Sequence, residues 1–267
     1  MLRDKLVRIG APLWADRFAS AWFQAEFIGE KNLDLLKKQN AMLVMNHTAF
    51  FALEMYLLGS RLLSRNPSLE FHTLVWKGFT EGAAGKWFRG LGCETASVVK
   101  GREILKMGKS VIIMPEGVGA TDVRHRLNHF HTGYLRMLAE KNVPIIPIGF
   151  YGVDQAMPWL IAHNKFLQEK IMAPVDPNFD FLLFPKVPIL RPTKIVFAIG
   201  EPIHIPEHAL DKEQQIQFWN TVIKNKISAL MTDAERHRAK SINASKLNRW
   251  WHKTVEGKIS WLNQPKK

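Results

Sequence analysis

Short apolar runs alternate with longer amphipathic stretches along most of the chain. The short runs are typical of buried strands, whereas the longer stretches repeat apolar residues at helical spacing. Strands alternating with helices predict an α/β fold, with a mostly parallel layered sheet flanked by helices. The predicted strands are 41–45, 71–76, 110–114, 144–150 and 194–200, and the predicted helices lie near 49–63, 82–90, 100–107, 131–141 and 212–231.

The first 30 residues also carry an amphipathic pattern. Leu2, Leu6 and Ile9 are separated by four and three positions, and Pro12 favours the start of a second helix. We therefore expect amphipathic helices over residues 1–30, which either pack on the core or lie in the plane of a membrane interface. The pattern predicts neither a signal peptide nor a transmembrane helix.

Prolines mark two unusual apolar segments. Pro144 and Pro147 interrupt the run 143–149, which predicts a strand that is short or near a sheet edge. Five prolines lie among the apolar residues of 172–192, so we interpret this segment as a loop that covers an apolar groove rather than as a linker.

Charge divides the chain into an expected domain, 1–235, and a basic helical tail, 236–267. The net charge is +13, and the tail holds nine Lys or Arg, one Glu and three Trp residues. This mixture suits an anionic membrane surface or a nucleic acid, and it also fits a solvated tail without a specific partner. No nucleic-acid-binding motif is present, so no specific nucleic acid is expected. A single cysteine, Cys93, excludes a disulfide framework.

The strongest candidate for chemistry is His47. Asn46 and His47 form a polar pair between two apolar segments, directly after a predicted strand. Open α/β sheets bind ligands at the carboxyl ends of their strands, so we interpret His47 as a general base. Pro115, Glu116 and Gly117 follow another predicted strand. They form either a ligand-binding strand end or a simple turn with Glu116 exposed.

Taken in order, the motifs of residues 40–205 resemble those of the glycerolipid acyltransferase family, which includes lysophosphatidate and glycerol-3-phosphate acyltransferases. Each motif is short, but their order and spacing make chance agreement improbable. The matching motifs are Asn46-His47, Lys77-Gly78 through Phe88-Arg89-Gly90-Leu91-Gly92, Pro115-Glu116-Gly117, Phe130-His131-Thr132-Gly133, Val143-Pro144-Ile145-Ile146-Pro147 and Ile199-Gly200-Glu201-Pro202-Ile203.

The resemblance implies a function at a membrane surface. His47 would take a proton from a lipid hydroxyl, which attacks an acyl thioester such as acyl-CoA or acyl carrier protein. The thioester is a co-substrate, and neither a metal nor a further cofactor is expected. The protein would act as a peripheral enzyme at the cytoplasmic face of a membrane. The resemblance assigns substrate binding to Asn46, Lys77, Pro115, Glu116 and Gly117.

The chain departs from the family pattern near the histidine. The family has an Asp five positions after its His, where this chain has Ala52. The remaining candidates to orient His47 are Glu54 and Asp122, with Glu54 ranked first, and the third alternative is that no carboxylate orients it. A regular helix over 48–54 would separate His47 from Glu54 by about 10 Å along its axis, too far for a hydrogen bond.

A second departure concerns the acceptor. Gly119 stands where the family has an arginine suited to a phosphate group. Arg124 and Arg126 lie close enough in sequence to substitute, or else the acceptor carries no phosphate. The two departures leave an alternative open, in which the protein is a catalytically weak or inactive family member that binds acyl chains or membranes.

Overall fold

The computed structural model describes residues 11–47, 53–81, 85–117, 127–156, 159–162, 182–185 and 192–244, together with Trp250 and Lys253. A seven-stranded sheet forms the centre of the fold. Its strands are β1 (Glu26–Ile28), β2 (Met42–Met45), β3 (Phe71–Val75), β4 (Cys93–Thr95), β5 (Ser110–Ile113), β6 (Ile145–Tyr151) and β9 (Val196–Ile199), and a separate antiparallel pair is formed by β7 (Trp159–Ala162) and β8 (Leu182–Pro185).

The strand order of the large sheet is β1-β9-β6-β2-β5-β3-β4. All neighbouring strands are parallel except β6 and β9, which are antiparallel. The five strands from β6 to β4 therefore run in one direction, and β9 and β1 run in the other. As a result, the carboxyl ends of β2, β3, β4 and β5 meet at one edge of the sheet.

Helices cover both faces of the sheet, and a long helix follows its last strand. Short 3-10 helices span Glu30–Lys37 and Glu207–Ala209. The α-helices are α1 (Ala11–Trp22), α2 (Leu53–Arg65), α3 (Lys77–Glu81), α4 (Gly85–Gly90), α5 (Val98–Lys106), α6 (Gly133–Met137), α7 (Val153–Ala156) and α8 (Glu213–Ala244).

The core lies on both faces of the central strands. Met42 and Val44 of β2 pack with residues of α5, α6 and α8, whereas Leu43 and Met45 pack with residues of α1 and α2. All four β2 side chains are buried. A strand buried on both faces is apolar at every position, which explains the continuous apolar run in the sequence.

The sheet confirms the predicted fold class and the five predicted strands. Two further strands, β1 and β4, were not predicted because they are three residues long and carry polar residues at the sheet edges. The expectation of helix throughout 1–30 is wrong, since β1 occupies part of it. Helix α1 fits the helix expected after Pro12, whereas residues 1–10 lie outside the described residues.

The position of β6 corrects the interpretation of its prolines. This strand is seven residues long and lies inside the sheet, between β9 and β2. Pro147 has no N–H, but this costs little because the residue lies opposite the end of β9. Its carbonyl still accepts the backbone N–H of Gly200 at 2.9 Å. The expectation of a short or edge strand was therefore wrong.

Two other segments differ from their predicted boundaries. Part of 172–192 is strand β8 and not loop, because residues 182–185 pair with β7. Helix α8 extends to Ala244, well beyond residue 231, where the predicted helix ended, and it includes residue 236, the first residue of the expected basic tail. Within the described ranges, every helix is too short or too polar to cross a membrane.

Candidate active site

Asn46 fixes the end of β2 to the neighbouring strand. Its side chain is almost fully buried, and its Oδ1 accepts the backbone N–H of Phe150 in β6 at 2.9 Å. Its Nδ2 donates to the carbonyl of Phe150 at 3.4 Å. The amide thus continues the ladder between β2 and β6, which satisfies a buried polar group and holds the next residue, His47, at the strand end.

His47 contacts Glu54. The Nδ1 atom of His47 lies 2.6 Å from Oε1 of Glu54, which belongs to the first turn of α2. The Glu54 side chain is completely buried and that of His47 is 14% exposed. The contact is shorter than a single regular helix over 48–54 would allow. A helix N-terminus is also a favourable place for a carboxylate.

This contact determines which ring nitrogen is available for chemistry. A carboxylate can only accept a hydrogen bond, so Nδ1 carries the proton in the pair. In the neutral ring, Nε2 then keeps a free lone pair, which is the atom that a general base needs. A carboxylate beside Nδ1 would also stabilise an imidazolium if Nε2 took a proton.

Glu116 accepts hydrogen bonds from the backbone of His47 and of Asn128, so it connects two other segments of the chain to its own. Its side chain is 4% exposed. Oε1 accepts the backbone N–H of His47 at 2.9 Å, and Oε2 accepts that of Asn128 at 2.8 Å. Burial raises the pKa of the Glu116 carboxyl, and these two donors act in the opposite direction. The turn with an exposed Glu116 is therefore excluded.

A cavity of about 510 Å³ opens beside His47 at the carboxyl ends of β2, β3, β4 and β5. This volume is in the range of small-molecule sites. Its wall is mostly apolar, with Leu74, Ile113 and Met137 among its residues, and Lys77 and His131 provide basic groups. No carboxylate lines the cavity in the part of the chain that the structure describes.

The structure brings together part of the predicted site. Three predicted residues, Lys77, Pro115 and Gly117, line the cavity with His47. Gly117 has φ +67, and a Cβ there would meet the ring of His131 at 3.5 Å. Asn46 and Glu116 bind the backbone instead. Asp122, Arg124 and Arg126 lie outside the described residues.

The sequence did not single out His131 as a site residue. It follows Phe130 in a matching motif, but its position in the cavity wall depends on the path of the chain between β5 and α6. Asn128 was also missed, since it acts through its backbone N–H, which every residue other than proline has.

Metal binding and nucleophilic catalysis by cysteine find little support in the described residues. No group of three or more His, Cys, Asp or Glu side chains there could hold a metal ion. Cys93 is buried, and burial raises the pKa of its thiol to about 11. A thiol in this state stays protonated at neutral pH and is a poor nucleophile.

Comparison with protein families shows which family the segment around His47 resembles. Residues 25–151 match the family model described as Acyltransferase. Over this segment the chain is similar to the acyltransferase family. The matching segment runs from β1 to β6 and includes His47, Glu54 and Glu116. A search of curated proteins gave no match.

The fold is shared with a solved acyltransferase structure. The chain is similar to the crystal structure of the 1-acyl-sn-glycerophosphate (LPA) acyltransferase PlsC from Thermotoga maritima, with 17% sequence identity and a TM-score of 0.52. The match covers 83% of this chain and 78% of that chain. At this identity the likeness concerns the fold.

Proposed function

We propose that the protein transfers an acyl group from a thioester donor to a lipid hydroxyl, with His47 as the general base. The observation that carries this proposal is the 2.6 Å contact between His47 Nδ1 and the buried Glu54, at the wall of the apolar cavity. It supplies an oriented base beside a space that suits an acyl chain.

The proposed reaction uses this geometry. Nε2 of His47 takes the proton of the acceptor hydroxyl while the hydroxyl oxygen attacks the carbonyl carbon of the thioester. The tetrahedral intermediate collapses by breaking the carbon–sulfur bond. The leaving thiolate then takes the proton from Nε2, which gives an ester and a free thiol. Glu54 stabilises the imidazolium between the two proton transfers.

The cavity favours substrates that combine an acyl chain with an anionic group. Its apolar wall suits the chain, and Lys77 and His131 suit phosphate oxygens of the donor or the acceptor. Acyl-CoA, an acyl carrier protein and a lysophospholipid each provide such groups. This combination supports a lysophospholipid as the acceptor class.

A membrane surface fits the exposed face of α1. Trp14, Phe18 and Trp22 are 71%, 54% and 40% exposed and are spaced four residues apart, so they share one face of the helix. Interfacial helices combine such an apolar face with basic residues, and the whole chain carries a net charge of +13. We infer that the enzyme works on an anionic membrane, such as a cytoplasmic leaflet.

An acceptor panel tests the proposal. Purified full-length protein is incubated with anionic vesicles that contain one lysophospholipid, monoacylglycerol or diacylglycerol at a time. The donor is either palmitoyl-CoA or palmitoyl-acyl carrier protein, and acylated lipids are measured by mass spectrometry. We expect product with at least one lysophospholipid. If no donor and acceptor pair gave product, while the protein still bound acyl-CoA, the non-catalytic alternative would replace this proposal.

A further inference from the structure

We propose that Glu116 is a positioning residue, which holds the His47 base in place through the backbone and binds neither substrate. This inference rests on the proposed role of His47. The geometry behind it is the pair of hydrogen bonds from the His47 and Asn128 backbone N–H groups to the two carboxyl oxygens of Glu116.

The location of Glu116 separates it from its neighbours in the sequence. Pro115 and Gly117 line the cavity beside His47, whereas Glu116 does not contribute to the cavity wall that the structure describes. Its side chain is 4% exposed and therefore points into the protein. A group that binds a substrate directly needs access to the cavity, which this carboxyl lacks.

Both oxygens of Glu116 already have partners. One donor lies 69 residues away in sequence, after β2, and the other lies 12 residues away, before α6. A carboxylate forms stronger hydrogen bonds with backbone N–H groups than a neutral acceptor does. Glu116 therefore links the backbone at His47 to the backbone at Asn128, which precedes His131 and α6.

Burying the Glu116 carboxyl costs desolvation free energy, which its two backbone hydrogen bonds help to offset. Desolvation is the largest influence on the Glu116 carboxyl and raises its pKa, while the two backbone donors and the nearby His47 ring lower it. A buried acceptor with two backbone donors fixes their relative positions. Rigid placement matters for a general base, because a displacement of about 1 Å can reduce the rate by about 100-fold.

The Glu116→Gln variant tests this role with little change in shape. Glutamine has one oxygen acceptor, and its NH2 group faces the second backbone N–H, so one of the two hydrogen bonds is lost. We expect kcat to fall by roughly 10- to 100-fold with little change in the KM of either substrate. Glu116→Asp keeps the charge but is one methylene shorter, and we expect a loss of the same kind.

A measurement on the free protein separates positioning from substrate binding. Nitrogen-15 labelling of the histidines allows the ring nitrogens and the backbone amide of His47 to be followed by NMR, with assignment from the signals that His47→Gln removes. Positioning predicts that Glu116→Gln shifts both the amide and the ring signals of His47 without any ligand. The matched control is Asp16→Asn, which alters another buried carboxyl, bonded to Arg61 and Ser64, and is expected to leave these signals unchanged.

Binding of a non-hydrolysable thioether analogue of acyl-CoA provides the second readout. Positioning predicts the same Kd for wild type and Glu116→Gln, whereas a substrate ligand predicts weaker binding. Unchanged His47 signals in both Glu116 variants, or weaker analogue binding with normal His47 signals, would overturn the proposal. If the wild type transferred no acyl group, the proposed function would fail, and the NMR comparison would still decide whether Glu116 positions His47.

Discussion

Replacing Glu54 by glutamine tests how the base is oriented. The change keeps the size of the side chain and removes its charge, in a position that is completely buried. A glutamine oxygen can still accept the Nδ1 proton of His47, so the neutral pair can form. The imidazolium produced during the reaction, however, loses its negatively charged partner.

The expected magnitude follows from the contact. The hydrogen bond is 2.6 Å long, and the His47 side chain is only 14% exposed, so solvent screens the pair weakly. A hydrogen bond to a charged group contributes about 1.5–3 kcal/mol. Since about 1.4 kcal/mol corresponds to a factor of ten in rate, kcat should fall by roughly 10- to 150-fold.

The assay is the initial rate of thiol release from acyl-CoA with a saturating acceptor, measured beside thermal unfolding of each variant. Asp122→Asn serves as the comparison, because Asp122 is the other candidate partner of His47. We expect a loss for Glu54→Gln and a nearly normal rate for Asp122→Asn. A rate for Glu54→Gln within about threefold of wild type, well below the loss estimated from the charged bond, would refute the role of Glu54.

Three further predictions concern other parts of the molecule. Trp14→Glu with Phe18→Glu should weaken binding to anionic vesicles by about tenfold or more in a sedimentation assay, since burying one such side chain contributes about 1.5–3 kcal/mol; unchanged binding would exclude this face as the contact. Gly149→Ala should lower the free energy of unfolding by about 1–3 kcal/mol, because the added Cβ would lie 2.4 Å from the α8 backbone. The control is Gly90→Ala, whose added Cβ would meet nothing within 4 Å and should leave the free energy of unfolding unchanged. Because burial raises the pKa of Cys93 to about 11, iodoacetamide at pH 8 should label the folded protein far more slowly than the urea-unfolded chain, and equal rates would contradict its burial.

The sequence was most informative where burial is complete. Strands β2, β5 and β6 are buried on both faces along nearly their whole length, so they appear as continuous apolar runs, and their positions were predicted within one or two residues. Strands β1 and β4 pair on one side only and include Glu26, Glu94 and Thr95. Short edge strands of this composition lack a pattern that distinguishes them from loops.

The site was predictable to the extent that it depends on strand ends. Asn46 and His47 could be found because a polar pair follows a buried strand. The choice between Glu54 and Asp122 could not be made from spacing, because the distance between His47 and Glu54 depends on the backbone path between β2 and α2. The partners of Glu116 could not be found either, because backbone donors have no signature in the sequence.

The most direct test of the central claim compares wild type with His47→Ala in the formation of acylated lipid from acyl-CoA and the best acceptor of the panel. The account predicts that wild type forms lipid product and free thiol in equal amounts. It also predicts that His47→Ala loses about 10²- to 10⁴-fold in rate while the protein stays folded. A folded His47→Ala protein that transfers the acyl group at the wild-type rate would contradict the account.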